Sequence, residues 1–132
     1  MLIKTKIGPS AIEGIGVFAD QFVPAGTIVW ELTPGLDGIY SVQEFQEMKT
    51  KELRNVIKYV FLSRDTNRYI LCNDYARFFN HSDVPNCLSQ NINSKDKEGI
   101  TIALQDIQIG EELTDDYKSF DASFGGLDAE ID

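Results

Sequence analysis

The chain has 132 residues and a formal net charge of −9, from 12 basic and 21 acidic side chains. That length supports one self-sufficient core, and 42% apolar residues, with eight Phe, five Tyr and one Trp, argue against wholesale disorder. The acidic balance repels phosphate backbones, so no direct nucleic-acid binding is expected, whereas a basic protein would be attracted.

An acidic surface also serves plain solubility, so charge alone names no partner. Cys72 and Cys87 do not form a C-x-x-C pair, and the chain holds one histidine. A zinc site needs about four close ligands, so no metal is expected and both thiols read as reduced. The opening Met1-Leu2-Ile3-Lys4-Thr5-Lys6 alternates instead of forming an apolar signal core, and no run reaches membrane-spanning length. The expectation is therefore an intracellular, cytoplasmic protein without membrane contact, or a nuclear, chromatin-associated one if the source is eukaryotic or viral.

Residues 2–7 alternate in the manner of a strand with one wet face, and 17–19 form a second short strand after Gly14-Ile15-Gly16. Val23-Pro24-Ala25-Gly26 is a turn that launches a β-branched strand over 27–32, which Pro34-Gly35 closes. Ser41 and Glu44 have capping-box spacing, with Val42, Phe45 and Met48 following at helical intervals. Thr50 is a candidate cap for a second helical stretch, in which Leu53, Val56, Ile57, Val60 and Phe61 make an apolar stripe. Strands are predicted over 68–71, 88–92 and 99–104, the last two joined by a polar hairpin loop. Residues 23–29 and 107–113 share a plan of apolar residue, turn, glycine, strand, and read as two similar corners. The end of the chain is glycine-rich and then acidic, and a flexible tail is expected over 121–132. The sum is a mainly β domain over 1–120 with a helical insertion at about 41–62.

Two segments carry chemistry. Arg77-Phe78-Phe79-Asn80-His81-Ser82 sets an amide and an imidazole beside phenylalanines that exclude water. Buried backbone groups at a chain crossing would use the same side chains. Gly110-Glu111-Glu112-Leu113-Thr114-Asp115-Asp116-Tyr117 is a turn followed by a strand, ending on a phenol. Gly14-x-Gly16 permits close backbone approach by a ligand, or a tight bend; it lacks the third glycine of a dinucleotide site. His81 has no nucleophile motif such as G-x-S-x-G, which disfavours hydrolysis.

In order and spacing, the blocks Ser10-Ala11-Ile12-Glu13-Gly14-Ile15-Gly16-Val17-Phe18-Ala19, Asp74-Tyr75-Ala76-Arg77-Phe78-Phe79-Asn80-His81-Ser82 and Gly110 to Tyr117 resemble the SET-domain protein lysine methyltransferases. The resemblance reaches from about residue 5 to 120 and matches the compact single-domain form without zinc-binding flanking modules. It implies a β-clip of small curved sheets with a knot-like C-terminal crossing. It also implies S-adenosylmethionine held by Gly14, Ile15, Gly16, Asn80 and His81, with Arg77 supporting that segment. Tyr117 would be the tyrosine at the methyl-transfer point. Asp115, Phe120 and Phe124 are candidate linings of the substrate channel, the two phenylalanines fitting a place in the core equally well. The substrate would be the lysine ε-amine of a basic protein, and a homodimer completing the substrate groove stays open.

Three departures stand out. Asp83 replaces a cysteine that commonly belongs to a zinc site, in keeping with no zinc. Glu13 replaces a basic residue or histidine. Asp115 occupies the place of a Phe or Tyr that tunes how many methyl groups are added. The last two keep a second reading open at this point, a catalytically silent module that binds the cofactor or a basic peptide.

Overall fold

The computed structural model describes residues 1–48, 51–90 and 99–123. Among the described residues, ten short strands form four small sheets. β1 (Thr5–Pro9) and β2 (Ile15–Ala19) make an antiparallel hairpin in which Gly8 faces Gly16. β3 (Ile28–Glu31), β9 (Ile100–Ala103) and β8 (Cys87–Gln90) form an antiparallel sheet, with a bulge between Ile28 and Trp30. β4 (Gly38–Tyr40), β6 (Tyr69–Leu71) and β5 (Val60–Leu62) form another. The fourth is a parallel pair of two residues each, β7 (Asn80–His81) beside β10 (Thr114–Asp115). This is the mainly β architecture that the sequence implies, with the C-terminal strand returning beside the Asn80 segment.

The capping box forms as read. The Ser41 N–H donates to Glu44 Oε1 at 2.9 Å and the Glu44 N–H to Ser41 Oγ at 3.0 Å, opening α1 (Val42–Met48). The two turn-glycine corners also bond to each other. Val23 and Ile107 exchange backbone hydrogen bonds at 2.9 and 2.8 Å, and Gly26 and Gly110 take φ of +85° and +91°.

Two boundaries need correction. The helical stretch expected to run to residue 62 breaks into 3₁₀ turns, Lys51–Asn55 and Ile57–Tyr59, and then becomes β5. Its stripe is buried as expected, with Ile57 and Val60 packed against Phe45 and Tyr69. However, pairing of β5 with β6 competes with helix for Val60 and Phe61 and wins. The tail does not begin at 121: Asp121 is buried, and the Ala122 N–H donates to the Leu62 carbonyl at 2.8 Å. Residues 124–132, and nearly all of the predicted hairpin loop, lie outside the described residues.

The largest core cluster gathers Val17 of β2, Val29 of β3, Cys87 of β8, Val23 and Ile107 of the two corners, and Leu113, and Phe79 joins it. Burial of such side chains contributes roughly 1.5–3 kcal/mol each, and Phe79 fixes the backbone immediately before Asn80. Cys72 and Cys87 are buried free thiols, and burial pushes the Cys87 thiol up to about 12. No helix among the described residues is long and apolar enough to cross a membrane.

Candidate active site

The β1–β2 hairpin turns through residues 10–14, where the Ser10 N–H donates to the Gly14 carbonyl at 2.8 Å and Gly14 takes φ +48°. A Cβ on Gly14 would stand in open space, with no heavy atom within 4 Å. Gly16 is the opposite case, because a Cβ there would run into the Glu112 carboxylate. Glu112 accepts the Ser10 hydroxyl at 2.8 Å and Asn80 Nδ2 at 2.9 Å. The same amide lies 3.1 Å from the Glu13 carbonyl and 3.4 Å from the Ile15 carbonyl. Gly14, Ile15, Gly16 and Asn80 thus share one polar seam. Sequence reasoning gave Ser10 and Glu112 no role in it; only their places inside the quoted blocks hinted at one.

The parallel register sets Thr114 opposite Asn80 and Asp115 opposite His81. The chain then bends so that the Tyr117 N–H donates to His81 Nδ1 at 3.1 Å. His81 Nε2 meets Asp83 Oδ1 at 3.0 Å, so a neutral ring carries its proton on Nε2. That hydrogen bond, with help from the Lys118 charge, holds Asp83 below the usual carboxylate range. The Tyr117 hydroxyl donates to the Phe79 carbonyl. Burial, followed by the Asp115 charge, pushes the phenol well above its ordinary value. At neutral pH it is a positioned O–H group and no base.

Tyr117 and Phe120 form one wall of an open cleft whose empty volume, mouth included, is about 570 Å³. Trp30, Tyr59 and Phe61 are among its other linings, and Phe120 meets Phe61 and Tyr117 edge-on at 4.9 and 5.7 Å between ring centres. Asp115 lines the cleft and is buried. Burial pushes its carboxyl up to about 6, against hydrogen bonds from Ser89 and Asp116 that favour the charged form. Arg77 sits on the cleft side, donating to the Cys72 carbonyl at 2.9 Å and Asn73 Oδ1 at 2.8 Å, 5.2 Å from the Tyr59 ring centre. It makes none of the hydrogen bonds of the glycine seam. Phe124 lies outside the described residues.

Trp30 and Ser89 are cleft residues that sequence reasoning missed. Both arrive by strand pairing: Trp30 faces Thr101 in the β3–β9 register, and Thr101 faces Ser89 across β9–β8. Trp30 Nε1 is buried and meets no acceptor among the described residues. Such a donor costs about 1–3 kcal/mol until something accepts from it.

Comparison with known proteins agrees with this fold. The SET-domain family model matches residues 14–118. A histone-lysine N-methyltransferase, H3 lysine-4 specific, of Chaetomium globosum is 34% identical over 128 residues, covering 93% of this chain and 12% of that protein. Human histone-lysine N-methyltransferase 2B is 37% identical over 112 residues, covering 83% of this chain and 4% of that protein. The chain therefore spans only a small part of the length of these curated relatives. A solved structure of ctPRC2 in an autoinhibited conformation bound to S-adenosylmethionine superposes with a TM-score of 0.69 at 23% identity, covering 91% of this chain and 16% of that one.

Proposed function

Because this chain belongs to the SET-domain family, we propose that it is a protein-lysine methyltransferase using S-adenosylmethionine. The observation that supports this most is the union, at the β7–β10 pair, of the glycine seam with a buried phenol in an apolar cleft. Two features fit the cofactor. Gly14 has a positive φ and open space where a side chain would stand, which suits close backbone approach by a ligand. Asn80 Oδ1 accepts no hydrogen bond among the described residues, which suits a ligand that brings donors. Gly14, Ile15, Gly16, Asn80 and His81 would hold it, and Arg77 braces the same segment from the cleft side. When bound, it supplies a methyl group on a positively charged sulfur.

The chain's own work is on the amine. A lysine with a reference pKa of about 10.4 is charged at neutral pH, and removing its proton costs about 5 kcal/mol. Aromatic walls lower that cost by desolvating the ammonium. The Tyr117 hydroxyl, fixed by Phe79 and by the His81 bond to its backbone, aims the nitrogen instead of deprotonating it.

The substrate we infer is a basic protein tail, drawn by the charge of −9. A histone is the first choice, given the relatives' names, and chromatin is then the place of action. The test is incubation with labelled S-adenosylmethionine and recombinant histone H3, read by mass spectrometry. Methyl groups on lysine support the reading. Cofactor binding by calorimetry without transfer to any of a panel of basic proteins would favour the silent module.

A further inference from the structure

Asp115 is a buried carboxylate that borders the cleft and has no cationic partner among the described residues. Ionised carboxylates offer about four acceptor positions. Three are filled here: Oδ1 accepts the Ser89 N–H at 3.2 Å and the Asp116 N–H at 2.8 Å, and Oδ2 accepts the Ser89 hydroxyl at 2.6 Å. The remaining acceptor position belongs to a rigidly held group, since Ser89 Oγ is itself 3.0 Å from the Thr101 hydroxyl. The three donors favour the ionised form but leave the buried charge without a counter-ion, which a bound cation would supply.

The cations that border the same cleft are engaged elsewhere: Lys58 and Arg77 lie over the Tyr59 ring, at 5.0 and 5.2 Å from its centre. The other titratable groups near the carboxylate are Cys87, Asp116, Tyr117 and Asp121, which bring no positive charge, and His81, which stands opposite it in the β7–β10 register with its ring nitrogens on Asp83 Oδ1 and the Tyr117 N–H. The aromatic walls add an affinity for alkylammonium groups through their ring faces.

We propose that Asp115 is the counter-charge that holds the substrate's alkylammonium, so that the cleft selects a charged lysine side chain at the binding step. That the occupant is lysine rests on the methyltransferase reading. The carboxylate has a consequence for turnover as well: it raises the pKa of the ammonium it attracts, so burial in the aromatic walls must offset it before transfer. Asp115 therefore acts on binding and on transfer with opposite signs, tightening the first and slowing the second. Its grip requires the ionised form, so it weakens as pH falls through about 6.

The single tryptophan of the chain, Trp30, borders this cleft and reports its occupancy by fluorescence. Nα-acetyl-lysine methylamide and its norleucine counterpart are titrated into the wild type, Asp115→Asn and Ser89→Ala, from pH 5 to 8. The wild type is expected to prefer the lysine probe about tenfold at pH 7.5, with the preference lost below pH 6. In Asp115→Asn the preference disappears, while a cooperative melt shows that the variant is folded. In Ser89→Ala the acid midpoint moves upward, because a bond that favours the charged form is gone; a carboxylate with a purely structural role would leave that midpoint unmoved. Equal lysine preference in wild type and Asp115→Asn overturns the proposal. Probe binding requires no turnover, so an Asp115-dependent preference in a protein that never transfers methyl would sink the enzyme reading and leave this one standing.

Discussion

The glycine seam and the aromatic cleft draw on the same pair of short strands, yet they treat polar groups in opposite ways. In the seam, Ser10, Glu112 and Asn80 are tied into a network whose distances run from 2.8 to 3.4 Å. In the cleft, the Trp30 indole N–H and one acceptor position of Asp115 are left over. A network closed except for the Asn80 Oδ1 acceptor makes a rigid frame with one polar atom to spare for a ligand, and leftover polar groups in an apolar cavity mark where something else binds. The seam thus holds the backbone still, and the cleft keeps polar groups in reserve for a bound side chain.

If the seam is a frame, crowding it should cost fold and cofactor together. Gly16→Ala drives a Cβ into the Glu112 carboxylate. We expect a loss of about 1–3 kcal/mol in chemical denaturation and a clear weakening of S-adenosylmethionine binding by calorimetry. Gly16→Ala combined with Glu112→Ala should be non-additive, since the second change removes the group that the first strikes. Simple additivity would break the idea of a shared frame.

If the cleft is built for a ligand at the expense of stability, filling its leftover charge with a neutral group should stabilise the empty protein. The sign follows from the carboxyl of Asp115, which stands at about 6 in the folded chain against about 3.9 when unfolded. The folded state binds that proton more tightly, so this group lowers stability as pH rises from about 4 to above 6. The ionisation cost at pH 7 is about 3 kcal/mol, partly offset in a variant by weaker bonds to Ser89 and Asp116. Asp115→Asn is expected to gain about 1–2 kcal/mol at pH 7.5, and to lose that gain below pH 4, in thermal melts at each pH. A constant difference across that range would show that the carboxylate is not the cause.

The smallest effect lies outside both regions. Ser41→Ala removes one half of the capping box and should cost about 1 kcal/mol without changing transfer. A change in transfer there would mean that the helical segment reaches further into function than its packing on Tyr69 suggests.

The parts legible in the sequence were those governed by local rules. Ser41 and Glu44 sit three residues apart, and the reciprocal bonds follow from helix geometry. Gly26 and Gly110 could be read because a turn demands their positive φ. Val60 and Phe61 were misread because a short apolar run fits a helix or a strand equally, and only pairing with β6 decides. Resemblance rather than spacing pointed to Asn80, His81 and Tyr117, which β7 and β10 bring close. Trp30, Ser89 and Glu112 gained their roles from neighbours distant in sequence, and no periodicity encodes such meetings.

The most direct test of the account compares the initial rate of methyl transfer to histone H3 for the wild type and Tyr117→Phe, with cofactor affinity measured on the same samples. Losing the hydroxyl that Phe79 fixes should slow transfer about a hundredfold or more, while cofactor affinity and folding stay close to wild type. Transfer at an unchanged rate would contradict the placement of the chemistry at that phenol.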